Sequence, residues 1–260
     1  MRVILLNVVP DLGHEARLAA AIALAQSRHG HICCLQTLIQ PFDIGHPEGA
    51  VAVPEMMRTV EWSARAFREE VEARLDDAGV TWAWLELYGD AATLIVNHSR
   101  LADIVILSAE GSYPDVGPVA LHSRVPILVA RQAGAAFQVR LPVLIAWNGS
   151  PSAAQALRGS VPLLRDAEGV HILAVDRDSD DFSAPRAREY LSHHDVPAEV
   201  HWQHSEGKPV EQTILDFARH LGAGTLIAGA FGHNRIREML LGSVTRAMLK
   251  DSQLPLLLAH

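Results

Sequence analysis

Residues 225–259 read TLIAGAFGHNRIREMLLGSVTRAMLKDSQLPLLLA. Thr225–Ala228 is a short apolar run, and Gly229 stands where a strand would leave its sheet. A second apolar run, Leu256–Ala259, follows Pro255, and a helical pattern from Val244 to about Lys250 lies between the two. Strand, crossover helix and strand form the unit from which parallel sheets are built.

Working outward, the same alternation fills the chain. Candidate strands in the first half are Val3–Val8, Ile32–Leu38, Trp82–Leu87, Ile104–Leu107 and Ile127–Ala130. In the second half they are Val143–Trp147, Val170–Val175, Glu199–Gln203, Thr225–Ala228 and Leu256–Ala259. Between the second and third runs a long helix is expected. Pro54 suits its first turn, and Met57, Val60, Ala64, Phe67, Val71 and Leu75 recur at three- and four-residue spacing. Gly79 suits a left-handed cap at its end.

Both halves have five candidate strands, and both last strands follow a proline, Pro126 and Pro255. The pattern is an internal duplication. The poorly periodic segment from Gln132 to Arg140 reads as a linker, giving domains at residues 1–137 and 138–260. The expected fold is α/β, two tandem five-stranded, mostly parallel sheets flanked by helices. Proline is tolerated at a strand start or edge, and an apolar edge must be covered. The halves are therefore expected to pair through Ile127–Ala130 and Leu256–Ala259.

Composition narrows the chemistry. Thirty acidic residues against 22 Lys plus Arg give a formal charge of −8, the opposite of a nucleic-acid footprint. Only Lys208 and Lys250 supply ammonium groups, so phosphate contacts would fall to Arg, hydroxyls or backbone amides. Cys33 and Cys34 are adjacent in an apolar run, a poor geometry for a mutual disulfide, and read as core filling in a reducing compartment. No apolar stretch approaches the ~18 residues of a membrane span, and the N-terminal run is too short for a signal peptide. A cytoplasmic protein without membrane or nucleic-acid partners is expected.

The loop after Thr225–Ala228 carries a mechanism. Gly229 would leave backbone open to a ligand, Gly232 can turn the chain, and Gly242-Ser243 opens the last helix. The first amides of that helix lack intrahelical partners, and the Ser243 and Thr245 hydroxyls stand beside them, a setting that attracts phosphate oxygens. The spacing Gly-x2-Gly-x9-Gly-Ser over residues 229–243 resembles the nucleotide loop of the universal stress protein family. The likeness runs on through Val244-Thr245 to Leu254-Pro255, and includes Asn148-Gly149-Ser150 where the family has an Asp-Gly-Ser turn. It covers residues 141–260, and the first half by strand order.

The resemblance implies a Rossmann-like fold of the adenine-nucleotide α-hydrolase type and a sensor or regulator of stress response that binds ATP, ADP or AMP. Ala146 and Asn148 would hold adenine and ribose, and Val175 would line the adenine pocket. Gly229, Gly232, His233, Gly242, Ser243, Val244 and Thr245 would contact ribose and phosphates, with Arg235 as an extra contact. Asn148 stands where the family has an acid. It can bond a ribose hydroxyl but brings no charge to a Mg2+ ion, which counts against metal-assisted hydrolysis. The resemblance also implies an intramolecular pseudo-dimer of the two halves, with a homodimer of chains as a second option.

The first half lacks this loop. Ser108 to Pro126 spans 18 positions where Gly229 to Pro255 spans 26, and Glu110 and Asp115 would repel phosphates. It reads as a degenerate copy, so one nucleotide per chain is expected. Of 14 histidines, His193-His194-Asp195 and His201-Trp202-Gln203-His204 are the densest clusters, but alternation along a strand puts 201 and 204 on opposite faces. They read as solvated or partly buried side chains, and no metal site is expected. No Gly-x-Ser-x-Gly elbow and no Gly-x4-Gly-Lys-Ser/Thr loop is present. A slow ATPase or nucleotidyl-handling enzyme and a scaffold without nucleotide are the alternatives. No catalytic residue is identified.

Overall fold

The computed structural model describes residues 1–38, 53–110, 114–176, 182–230 and 242–260. The first half runs β1 (Val3–Asn7), α1 (His14–Arg28), β2 (His31–Leu38), α2 (Val53–Asp77), β3 (Thr81–Tyr88), α3 (Ala91–His98), β4 (Ile104–Ser108), α4 (Val116–His122) and β5 (Ile127–Ala130). The second repeats the order as β6 (Val143–Trp147), α5 (Pro151–Leu164), β7 (Val170–Val175), α6 (Ala184–Ser192), β8 (Glu199–Gln203), α7 (Val210–Leu221), β9 (Thr225–Gly229), α8 (Ser243–Asp251) and β10 (Leu256–Ala259). Every strand lies within one residue of its expected bounds. Short apolar runs closed by glycine, proline or a polar turn leave little freedom in where a strand stops.

The two expected five-stranded sheets are halves of one. Ten strands form a continuous sheet in the order β3-β2-β1-β4-β5-β10-β9-β6-β7-β8. Neighbours within each half are parallel, whereas β5 and β10 run antiparallel with Leu256 opposite Val129 and Leu258 opposite Ile127. The last strands therefore cover each other, and β3 and β8 become the outer edges. Accordingly β4, β5 and β10 are buried throughout, while β3 and β8 are largely exposed.

Helices cover both faces. Side chains alternate along each strand, so one set, including Ile4, Leu6 and Ile145, packs under α1, α2, α5 and α6. The other, including Leu5, Val105 and Leu226, packs under α3, α4, α7 and α8. The segment 132–140 has no helix or strand and is seated on the rest of the chain. Phe137 and Val139 are buried, and the Ala135 amide donates to the Gln253 carbonyl at 2.8 Å. Arg131, just past β5, donates to the carbonyls of Met248 (3.0 Å) and Leu249 (2.5 Å), closing the C-terminal turn of α8 from the first half. A cation there also meets the negative end of the helix dipole.

Candidate functional site

In each half the chain winds outward in two directions from its first strand, so the helices of the two directions lie on opposite faces of the sheet. A crevice opens at the carboxyl ends of the two strands where the order reverses. In the second half these are β6 and β9. The crevice there is lined by Ala146, Trp147 and Asn148 from β6 and its turn, Ala228 and Gly229 from β9, and Leu173 and Val175 from β7. Val210 and Ile214 of α7 close one wall, and Gly242, Ser243, Val244, Thr245 and Met248 form another.

The turn after β6 is locally determined. Asn148 Oδ1 accepts from the Ser150 amide at 3.0 Å, and Gly149 takes φ +71°, which a side chain would disfavour. Ser150 then caps α5 by accepting from the Ala153 amide at 3.2 Å. Trp147 is buried and donates from Nε1 to the Phe182 carbonyl at 2.9 Å. Beyond β7, the hydroxyl and amide of Ser205 hold the exposed Asp176 carboxyl below the usual carboxylate range.

The far wall is the start of α8. Gly242 is its N-cap and has no side chain to satisfy the first-turn amides, which have no intrahelical acceptors. Ser243 is exposed beside them. Thr245 is buried, and its hydroxyl donates to the Gly229 carbonyl at 2.8 Å, tying the helix to the end of β9. Its proton is thus engaged by backbone rather than left for a ligand. Gly229 also differs in its reason. A Cβ there would lie 2.5 Å from Ser152 Oγ and 2.7 Å from the Ala153 nitrogen, so the glycine is demanded by close packing of α5 on the strand.

Eight residues singled out from sequence, Ala146, Asn148, Val175, Gly229, Gly242, Ser243, Val244 and Thr245, line this one crevice. Gly232, His233 and Arg235 lie outside the described residues. Sequence reading missed Leu173, Val210, Ile214 and Met248. These are ordinary apolar positions of a strand and two helices, and only tertiary packing brings them to the crevice. None of the described lining residues is Asp or Glu.

The matching corner of the first half, between β1 and β4, is filled from within. Arg17, fully buried, donates to the carbonyls of Asn7 (3.0 Å) and Val9 (2.9 Å), to Ser108 Oγ (2.5 Å) and to Asp11 (2.8 Å to Oδ1). Burial draws its pKa down and Asp11 opposes that shift. Glu110 is engaged with the Gln132 amide at 2.9 Å, and Asp115 caps α4 by accepting from the Gly117 amide. Among the described residues no helix is long and apolar enough to cross a membrane.

The universal stress protein family model matches residues 141–260. A search of curated proteins found no match. Among solved structures, a universal stress protein from Archaeoglobus fulgidus is 19% identical with a TM-score of 0.75, over 99% of this chain and 97% of that one. A Pseudomonas aeruginosa protein provisionally assigned to the same family is 15% identical with a TM-score of 0.64, over 100% and 93%. A functionally unknown protein from Pseudomonas aeruginosa gives 15% and 0.62, over 100% and 92%. At these identities the likeness speaks for the fold, and for all three it extends over both halves. Residues 141–260 thus match the universal stress protein family, and the whole chain, with its ten-stranded α/β sheet, shares the fold of its full-length structural neighbours.

Proposed function

We propose that the second half binds an adenine nucleotide, ATP, ADP or AMP, in the crevice between β6 and β9, and that the protein is a nucleotide-responsive regulator. The observation that carries this is convergence. Residues drawn from the glycine motif, the Asn148 turn and the end of β7 line one crevice at the topological switch point. Its apolar wall of Leu173, Val175 and Ile214 suits a flat base, and the free amides at the start of α8 suit phosphate. Mg2+ would have to be held through the nucleotide's own phosphates, because the described lining offers no carboxylate. The units 1–137 and 138–260 are proposed to differ in this respect, the first being a degenerate copy.

Protein freed of ligand tests the reading. Saturation at about a hundred times the dissociation constant adds ~2.7 kcal/mol, or roughly 5–10 °C in melting temperature for a chain of this size. Isothermal titration should fit one site per chain, and Gly242→Val should abolish it by placing a branched side chain at the mouth of the α8 amides. No thermal shift with millimolar ATP, ADP or AMP would defeat the proposal. Multiple turnover of labelled ATP would convert a regulator into an enzyme.

A further inference from the structure

His171, Glu199 and His201 converge at the sheet margin, outside the residues that line the crevice. β7 and β8 pair in parallel with His171 opposite Glu199 and Leu173 opposite His201. Residues two apart on a strand share a face, so all three side chains stand on one side of the sheet. It is the side covered by α7, whose Phe217 ring lies 5.0 Å from that of His201. Nδ1 of His171 is 3.0 Å from Nε2 of His201. Oε2 of Glu199 lies 3.7 Å from the former and 3.8 Å from the latter.

Those three distances join the same three atoms and define a triangle. The point equidistant from its corners is about 2.0 Å from each atom, the length of Zn–N (~2.0–2.1 Å) and Zn–O (~2.0–2.2 Å) bonds. We propose that His171, Glu199 and His201 bind a divalent transition-metal ion of the zinc class, with water completing its coordination.

Two imidazoles and one carboxylate form a donor set suited to zinc and its neighbours, not to Mg2+ or Ca2+, which take oxygen ligands. Without metal, the two facing nitrogens share one proton in a hydrogen bond, and the ion takes that proton's place. The site is open to solvent on the Glu199 side, where the side chain is 73% exposed, while His171 is 14% exposed. It sits near the start of β7, two residues or about 7 Å along the strand from Leu173 on the crevice wall, and none of its three residues lines the crevice. It adjoins the crevice wall but shares no residue with it, and the proposal does not depend on the nucleotide reading.

The test uses the full, untagged chain, stripped of metal with a chelator and titrated with Zn2+ alone. One Zn2+ per chain is expected, and Co2+ should give visible d–d bands that Zn2+ bleaches. Loss of a supporting outer hydrogen bond costs metal sites ~10–100-fold in affinity, so loss of a direct ligand in His201→Ala should cost at least about 100-fold. Glu199→Gln, on an exposed side chain, should weaken binding at least about 10-fold with an unchanged melting curve in chelator, so a folding failure of the histidine variant leaves the proposal testable. His204→Ala, on a side chain 88% exposed, should match the parent chain. No Zn2+ binding by the parent chain, or equal affinity in the parent, Glu199→Gln and His201→Ala, would overturn the site and leave only a histidine–histidine hydrogen bond. Nucleotide titration of the same variants should be unchanged, so the two proposals fail separately.

Discussion

The corner between β1 and β4 and the corner between β6 and β9 are built alike and furnished differently. The Arg17 guanidinium of α1 occupies the first corner, while the second is an open crevice lined by the ends of β6, β7 and β9 and by α7 and α8. Close approach of helix and strand is kept in both, but the small residue changes sides. In the second half it is Gly229 on the strand facing Ser152 and Ala153. In the first it is Gly13 at the head of α1, where a Cβ would run into Ser108 Oγ and the Glu110 carbonyl. A duplicated fold thus keeps close helix–strand packing in both halves while one switch point holds a buried arginine and the other a crevice.

The sharpest way to break this comparison is to pull the plug. Arg17→Leu keeps bulk but leaves the Asn7 and Val9 carbonyls and Ser108 without the guanidinium donor, and Asp11 with the Gly13 amide alone. Removing one member of a buried charged network costs about 3–5 kcal/mol, read as a lower urea midpoint at unchanged slope. Nucleotide affinity in the second half should not move. A loss below about 1 kcal/mol would mean that Arg17 fills the corner without holding it.

A smaller effect separates the two glycines. Gly13→Ala and Gly229→Ala each force a methyl into an occupied space, and overpacking of this kind costs about 1–3 kcal/mol. Only Gly229→Ala should also weaken nucleotide binding, because Gly229 lines the open crevice and its carbonyl holds Thr245. Equal nucleotide affinity in both variants would show that β9 and the crevice are uncoupled.

Much of this was legible before any coordinates. Apolar runs such as Val143–Trp147 and Leu256–Ala259 are bounded by residues with strong local preferences, so strand positions and the pairing of the last strands could be read directly. The expected crevice residues also come from local motifs, the Asn148 turn and the start of α8. What stayed hidden depends on register between distant segments. Nothing local marks Arg17, which gains its role only when β4 brings Ser108 beside it, 91 residues away. His171 and His201 are 30 residues apart, and although His201 belongs to a cluster visible in the sequence, only the β7–β8 register joins it to His171. Gly229 was chosen for a sound reason of ligand access, yet its packing against α5 required knowing where that helix lies.

The smallest expected difference between the halves is in acid. α5 begins with Pro151, but α1 begins with His14, which is buried with its ring edge-on to Phe67 at 4.6 Å. Burial lowers the His14 pKa, Arg17 and Arg74 lower it further, and Glu15 and Asp11 oppose them. A cation at a helix N-terminus also meets the positive end of the dipole. Because the folded pKa lies below the unfolded value of about 6.5, the unfolded chain binds more protons between the two. The contribution of neutral His14 is then complete above about pH 6.5 and is lost as pH falls from there through the lowered folded value. Urea stability of the parent chain and of His14→Gln, measured at several values from neutral pH down to about pH 5, should converge on acidification, since other titrating groups cancel in the difference. Parallel curves would remove His14 from the acid response and leave the two halves alike in this respect.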